Sequence, residues 1–310
     1  MSGAVAVGVF DGVHLGHLRI LERMLERVRA SGGPGVVVSF DPHPDVVLSK
    51  SFQALAPLTP LPEKRARLES LGVARFEVLP FTRELAALSP EAFVERHLVK
   101  PFAPRALVVG ENFALGRGRA GNVPRLREIG RDAGFEVEAV PLLQLEGGDV
   151  TSTRIRELLA RGEVAGAARL LGRRYSLEAT VVTGEGLGRQ LGFPTANLRL
   201  HDEKLVPVHG IYAVWARLED EPHKRPGAMS IGVRPTFGGK VPTLEVHVLD
   251  WSGDLVGRSL EVEFDSWLRA ERRFDGAEPL IEAMREDVAT VRRRLASVPE
   301  AGTSRSAPRV

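Results

Sequence analysis

Two histidines three residues apart stand where an apolar run meets a helical pattern, in the segment Gly8-Val9-Phe10-Asp11-Gly12-Val13-His14-Leu15-Gly16-His17. On the first turn of a helix that spacing turns both rings to one side. Glycines let backbone come close to a phosphate, and a helix N-terminus favours an anion. Two imidazoles placed there can donate to a triphosphate and to charge growing at its α-phosphorus. Nucleotidyl transfer needs that neutralisation and alignment, and no protein nucleophile. Taken singly, the same residues serve equally well as a cap, a packed ring and a tight turn.

A second constellation lies in Gly184-Glu185-Gly186-Leu187-Gly188-Arg189-Gln190-Leu191-Gly192-Phe193-Pro194-Thr195-Ala196-Asn197. Gly184, Gly186, Gly188 and Gly192 give a loop whose amides can approach phosphates, although a bare glycine pattern also describes a loose hairpin. The threonine hydroxyl and asparagine amide oxygen, two apart, suit Mg²⁺ held partly by ATP oxygens. The segment is neither a P-loop nor a protein-kinase loop, lacking the residues of both. Phosphoryl transfer also needs a base near the acceptor hydroxyl. Leu244-Glu245-Val246-His247-Val248 alternates strictly, so Glu245 and His247 share one face of a strand. A face carrying a base and a merely wet outer face of a strand read the same way here.

Three further segments carry chemistry-bearing side chains. Phe40-Asp41-Pro42-His43-Pro44 follows an apolar run and is also a stiff turn. Gly110-Glu111-Asn112-Phe113 follows another apolar run. In Ser152-Thr153-Arg154-Ile155-Arg156, the hydroxyl of Ser152 or Thr153 is suited to cap the helix that continues through Leu158 and Leu159. Arg154 and Arg156 fit either a phosphate clamp or a solvated face.

Positioning these residues requires two kinds of architecture. Strand patterns at 5–10, 36–40, 75–79, 106–109 and 137–140 alternate with helical ones at 15–29, 62–71 and 126–133, with Leu18, Leu21, Leu25 and Val28 on one helical face. Ser89-Pro90-Glu91 is a helix start. Such alternation predicts an α/β domain with a parallel Rossmann-like sheet, whose ligands sit at the carboxyl ends of the strands. After Leu171-Gly172 the pattern changes to short alternating runs at 177–182, 211–218, 228–233, 244–249 and 260–264. These predict a small antiparallel β-barrel, closed by a helix over 279–295. The expected domains are 1–172 and 173–296, and composition predicts a disordered tail over 297–310.

Composition narrows the function classes. The chain of 310 residues has a formal net charge of +2 and no cysteine, which excludes thiolate nucleophiles, thiolate metal sites and disulfides. Its arginines are scattered, so no nucleic-acid partner is expected. No apolar stretch is long enough to span a bilayer and no signal peptide is evident, so no membrane partner and a cytoplasmic location are expected.

Phe10-Asp11-Gly12-Val13-His14-Leu15-Gly16-His17 resembles the His-x-Gly-His signature of the nucleotidyltransferase superfamily, in the form typical of prokaryotic bifunctional riboflavin kinase/FMN adenylyltransferases. Pro194-Thr195-Ala196-Asn197 is similar to the riboflavin kinase motif of the same family, and the other segments occur in its order. The resemblance runs from about residue 4 to 295. It implies an N-terminal domain that makes FAD and pyrophosphate from FMN and ATP, and a C-terminal barrel that makes FMN from riboflavin and ATP, both with Mg²⁺.

By residue, the resemblance implies His14 and His17 as catalytic, and Gly8, Phe10, Asp11, Gly16, His43, Asn112, Ser152, Thr153 and Arg156 as nucleotide- or flavin-binding. In the second domain it implies Glu245 as base for the ribityl 5′-hydroxyl, placed after a Pro235-Thr236-Phe237 turn. Thr195 and Asn197 become metal–nucleotide ligands, with the loop glycines around them, and Arg269 opens a flavin-side flap over 269–274. The sequence departs from the family at Asn112, often Asp, and at Leu115, often Phe, and it begins almost at the first strand. A riboflavin kinase with a degraded first domain, a nucleotidyltransferase with another acceptor such as pantetheine phosphate, and a non-enzymatic flavin sensor are the rival readings. Oligomeric state is not readable.

Overall fold

The computed structural model describes residues 3–48, 56–236 and 239–296. By its internal contacts the chain divides into two units, Met1–Arg154 and Ile155–Val310.

The first unit is built on β1 (Ala4–Val7), α1 (Leu15–Ser31), β2 (Gly35–Asp41), α2 (Leu61–Ser70), β3 (Arg75–Pro80), β4 (Ala106–Gly110), α3 (Val123–Ala133) and β5 (Glu136–Val140). The five strands form a parallel sheet in the order β3-β2-β1-β4-β5. The order reverses at β1, so the carboxyl ends of β1 and β4 border the crevice where such folds bind ligands. β1 is buried at every position, as a strand covered by helices on both faces must be. Leu21 and Met24 of α1 are fully buried, and Leu18, Leu25 and Val28 pack against the same cluster. Ser89 accepts a hydrogen bond from Ala92 N at 3.2 Å and caps its short helix as expected.

Two expectations change here. The first strand stops at Val7 instead of residue 10, because Phe10 and Val13 adopt φ of 52° and 39° around Gly12 at 86°. Left-handed backbone cannot continue a strand. The helix α4 (Ser152–Ala160) is capped by Thr151, whose Oγ1 accepts from Arg154 N at 3.2 Å, so neither Ser152 nor Thr153 is the cap.

The second unit contains most of α4, then α5 (Val164–Leu171), β6 (Ser176–Val182), β7 (Ala196–Leu200), β8 (Gly210–Leu218), β9 (Arg225–Thr236), β10 (Gly239–Val248), β11 (Ser259–Arg269) and α6 (Ala277–Ala296). Six antiparallel strands close into a barrel, β6-β7-β10-β9-β8-β11. Phe264 is fully buried between Tyr175 and Tyr212, with ring centroids 6.4 and 5.1 Å away. Each such side chain contributes on the order of 1.5–3 kcal/mol on leaving water. Val291 and Leu295 of α6 pack on Ala213 and Trp215 of β8. β7 was not among the expected strands, and it carries Asn197. Phe237 and the tail 297–310 lie outside the described residues.

Candidate functional sites

In the first unit the two histidines meet as their spacing requires. His14 is the N-cap of α1, and its Nδ1 accepts from His17 N at 3.3 Å. The neutral His14 ring therefore carries its proton on Nε2. The two rings stack, 3.6 Å between centroids and 15° between planes. Burial first, then the charges of His14 and Lys64, hold the His17 pKa well below the ordinary histidine value. His17 Nδ1 is buried and has no hydrogen-bond partner among the described residues, as a group awaiting a polar ligand would be. The fully buried Phe10 ring lies 5.1 Å from the His17 ring. A Cβ on Gly16 would stand 3.2 Å from the His14 ring and 3.3 Å from Val150 O, and one on Gly8 would stand 3.2 Å from the Phe10 ring. Both glycines make room for the site's own rings.

Asp11 is buried at the turn that leads into the histidines. Its buried carboxylate accepts Leu58 N at 3.0 and 3.2 Å and Thr59 N at 3.1 Å. Ser152 Oγ donates to Asp11 O at 2.8 Å, which ties the start of α4 to the histidine turn. Arg154 donates to Leu145 O and Gly148 O at 2.8 and 2.9 Å and holds a small hairpin. Arg156 is half-buried one helical turn beyond Ser152, and Thr153 is exposed. His43 follows the cis Asp41–Pro42 bond, its Nδ1 accepting Asp45 N at 3.1 Å. Asn112 is exposed just beyond β4, and its carbonyl accepts from Arg119 at 3.1 Å.

In the second unit a cavity of about 380 Å³ opens beside the barrel. Its polar floor is three strands wide. Asn197 on β7 pairs with Glu245 on β10, which pairs with Ser230 on β9. Leu244, Val246 and Val248 point into the barrel, so Glu245 and His247 face the cavity. Thr195 Oγ1 donates to Glu245 Oε2 at 3.2 Å. The His247 Nδ1 lies 2.8 Å from Pro194 O and its ring lies against Phe193.

The glycine loop packs onto these groups. A Cβ on Gly184 would overlap the Asn197 amide; one on Gly188 would overlap Phe193 O and stand 3.1 Å from Thr195 Oγ1. Gly186 and Gly192 have φ of 72° and 86°, which bend the loop over the threonine. Arg269 lines the cavity, but its guanidinium is paired with Asp287 of α6 at 2.9 and 2.7 Å. Asp287, Lys64 and the wall that α6 gives the cavity through Leu280, Met284 and Val288 escaped the sequence reading. Lys64 alone left a trace there, as a lysine in register with the apolar Leu61 and Leu68.

The donor set Thr195 hydroxyl, Asn197 amide and Glu245 carboxylate is all oxygen and fits Mg²⁺. Among the described residues no group of three or more His, Cys, Asp or Glu could hold a metal alone.

Comparison with known proteins gives the same division. Residues 2–154 match the FAD synthetase family model and 171–295 the riboflavin kinase model. A bifunctional riboflavin kinase/FMN adenylyltransferase of Pseudomonas fluorescens is 41% identical over 292 residues, 94% of this chain and 92% of that protein. The proteins of the same name from Escherichia coli K12 and Listeria monocytogenes are 37% and 35% identical over 93% of this chain, and over 91% and 90% of their own lengths. A crystal structure described as a macrolide-efflux protein from Streptococcus pneumoniae superposes with a TM-score of 0.87 at 28% identity, covering 94% of both chains. Among the described residues here no helix is long and apolar enough to cross a membrane.

Proposed function

The chain belongs to the family of bifunctional riboflavin kinase/FMN adenylyltransferases, and from that premise we infer that it phosphorylates riboflavin to FMN in the barrel and adenylylates FMN to FAD in the α/β unit. The observation that carries the reading is the Thr195–Glu245–Asn197 cluster on the cavity floor.

In the kinase reaction, Glu245 takes the proton of the ribityl 5′-hydroxyl as that oxygen bonds to the γ-phosphorus of ATP and the bond to the ADP oxygen breaks. The loop at Gly184, Gly186, Gly188 and Gly192 covers the phosphates, and Thr195 and Asn197 hold the Mg²⁺–nucleotide. The ion, when bound, neutralises phosphate charge. Arg269 orders the flavin side of the cavity through its pairing with Asp287.

In the adenylyltransferase reaction, an FMN phosphate oxygen attacks the α-phosphorus of ATP and pyrophosphate leaves. His14 and His17, stacked at 3.6 Å, donate to the charge that develops there. Gly8, Gly16, His43, Asn112, Ser152, Thr153 and Arg156 border the nucleotide and flavin; Phe10 and Asp11 support the turn from within. We propose functional limits at 1–172 and 173–296. We assign the protein to the cytoplasm, the compartment that supplies ATP.

The test is to incubate the pure chain with riboflavin, ATP and Mg²⁺ and separate the flavins by chromatography. FMN appearing first and FAD following is the expected course. FMN without FAD would leave a kinase alone, and flavin binding without turnover would leave a sensor.

A further inference from the structure

Lys64 is a lysine where lysines are seldom found. It is 6% exposed, on α2, and its Nζ donates to Val9 O at 2.9 Å. Lysine is almost never buried without a partner that repays its lost hydration. Here the repayment is the Val9 carbonyl together with the Asp11 and Asp41 carboxylates, which raise its pKa against the larger lowering by burial. An apolar side chain would fill the space without either burden.

What the ammonium holds is the strained part of the first site. Val9 O also accepts Ser39 Oγ at 2.9 Å, so one carbonyl is pinned from β2 and from α2. The next four residues contain the left-handed Phe10, Gly12 and Val13. Such backbone persists only where the surroundings over-determine it. The segment that supplies Lys64 also receives the turn, because Leu58 N and Thr59 N bind the Asp11 carboxylate. The clamp therefore closes in both directions around the residues that lead into His14.

We propose that Lys64 is a positioning residue for FMN adenylylation, fixing the Val9–Val13 turn and through it the stacked His14–His17 pair. The inference rests on the reading that the first unit makes FAD. The charge of Lys64 bears on His17. The groups acting on that ring are the Phe10 ring, the His14 imidazole and the Lys64 cation, with Asp11 and Asp41 set against the cation. A structural filler would support the fold without this electrostatic link.

The experiment uses the full chain carrying Lys64→Met or Lys64→Arg. FAD formation from FMN is followed across pH, riboflavin phosphorylation is measured on the same preparation, and the His17 ring is titrated by NMR. Lys64→Met should lower kcat for FAD at least tenfold with little change in the KM for FMN. It should also move the His17 titration to higher pH, since a neighbouring cation is gone. Lys64→Arg should restore the titration and much of the rate, and kinase activity should be unchanged in both. Should Lys64→Met be insoluble, Lys64→Gln makes the same comparison, removing the charge while keeping a donor for Val9 O. Wild-type FAD formation in Lys64→Met, or a lost rate with an unmoved His17 titration, overturns the proposal. If the unmodified chain makes no FAD, the reading beneath it falls, and the His17 titration alone decides the Lys64 link.

Discussion

The hydroxyl of Thr195 donates to the carboxylate of Glu245 across 3.2 Å, from the end of the glycine loop to the middle of β10. One hydrogen bond thus joins the proposed nucleotide ligand to the proposed base. It orients a Glu245 oxygen and leaves the threonine lone pairs available to a cation. Glu245→Gln keeps the shape and removes the base. We expect FMN formation to fall by about 10²–10⁴-fold, the range of general-base catalysis, while FMN-to-FAD conversion in the same tube is unchanged. Chromatography of the flavins decides it; loss of both activities in a folded chain would contradict the division of labour.

The sequence carried the alternation of the two architectures because burial writes itself into periodicity, as in the fully buried β1 and the strict Leu244–Val248 alternation. It carried His14, His17, Thr195, Asn197 and Glu245 because each sits in a short motif whose spacing the local element fixes. It did not carry what depends on distant pairing. Asp11 reads as a loop acid, and only the fold brings Leu58 N and Thr59 N to it. Arg269 reads as a free cation at the start of a flap until Asp287, 18 residues later on α6, is seen to hold it. β7 was hidden because its five residues follow a glycine-rich loop and include the polar Asn197 in place of an apolar side chain.

Gly184→Ala tests the cradle around Asn197. A Cβ there would overlap the Asn197 side-chain amide, which would have to turn away from its present place beside the cavity. We expect kinase kcat/KM for ATP to drop at least tenfold, about 1.4 kcal/mol of lost transition-state stabilisation, with FAD formation unaffected. Wild-type kinase kinetics would show that Asn197 does not need its present position.

Asp287→Asn tests the support of Arg269. The pair is bidentate, its side chains 18% and 12% exposed, so a neutral amide loses the charge-assisted bonds yet keeps the volume. We expect a stability loss of about 1–3 kcal/mol, read as a lower Tm. The KM for riboflavin should rise more than kcat falls, since Arg269 lines the cavity and is assigned to its flavin side. An unchanged KM would make the pair a brace of α6 alone.

The depressed pKa of His17 has a consequence for stability whose sign can be fixed in advance. In the unfolded chain the residue titrates near the ordinary histidine value of about 6.5; in the folded chain burial, His14 and Lys64 hold it well below that. Between the two values the unfolded chain binds the extra proton, so stability rises with pH through that window. The contribution is fully present above about pH 6.5 and is lost as pH falls toward the folded value. His97 and its own lowered pKa add a smaller slope of the same sign. Thermal melts of the wild type from pH 7.5 to 5 should therefore show Tm falling on the acid side, and His17→Gln should flatten that fall. A glutamine variant with the full wild-type slope would place the acid sensitivity elsewhere. The same variant should make FMN normally and lose FAD formation, which links the protonation of this one ring to the chemistry of its unit.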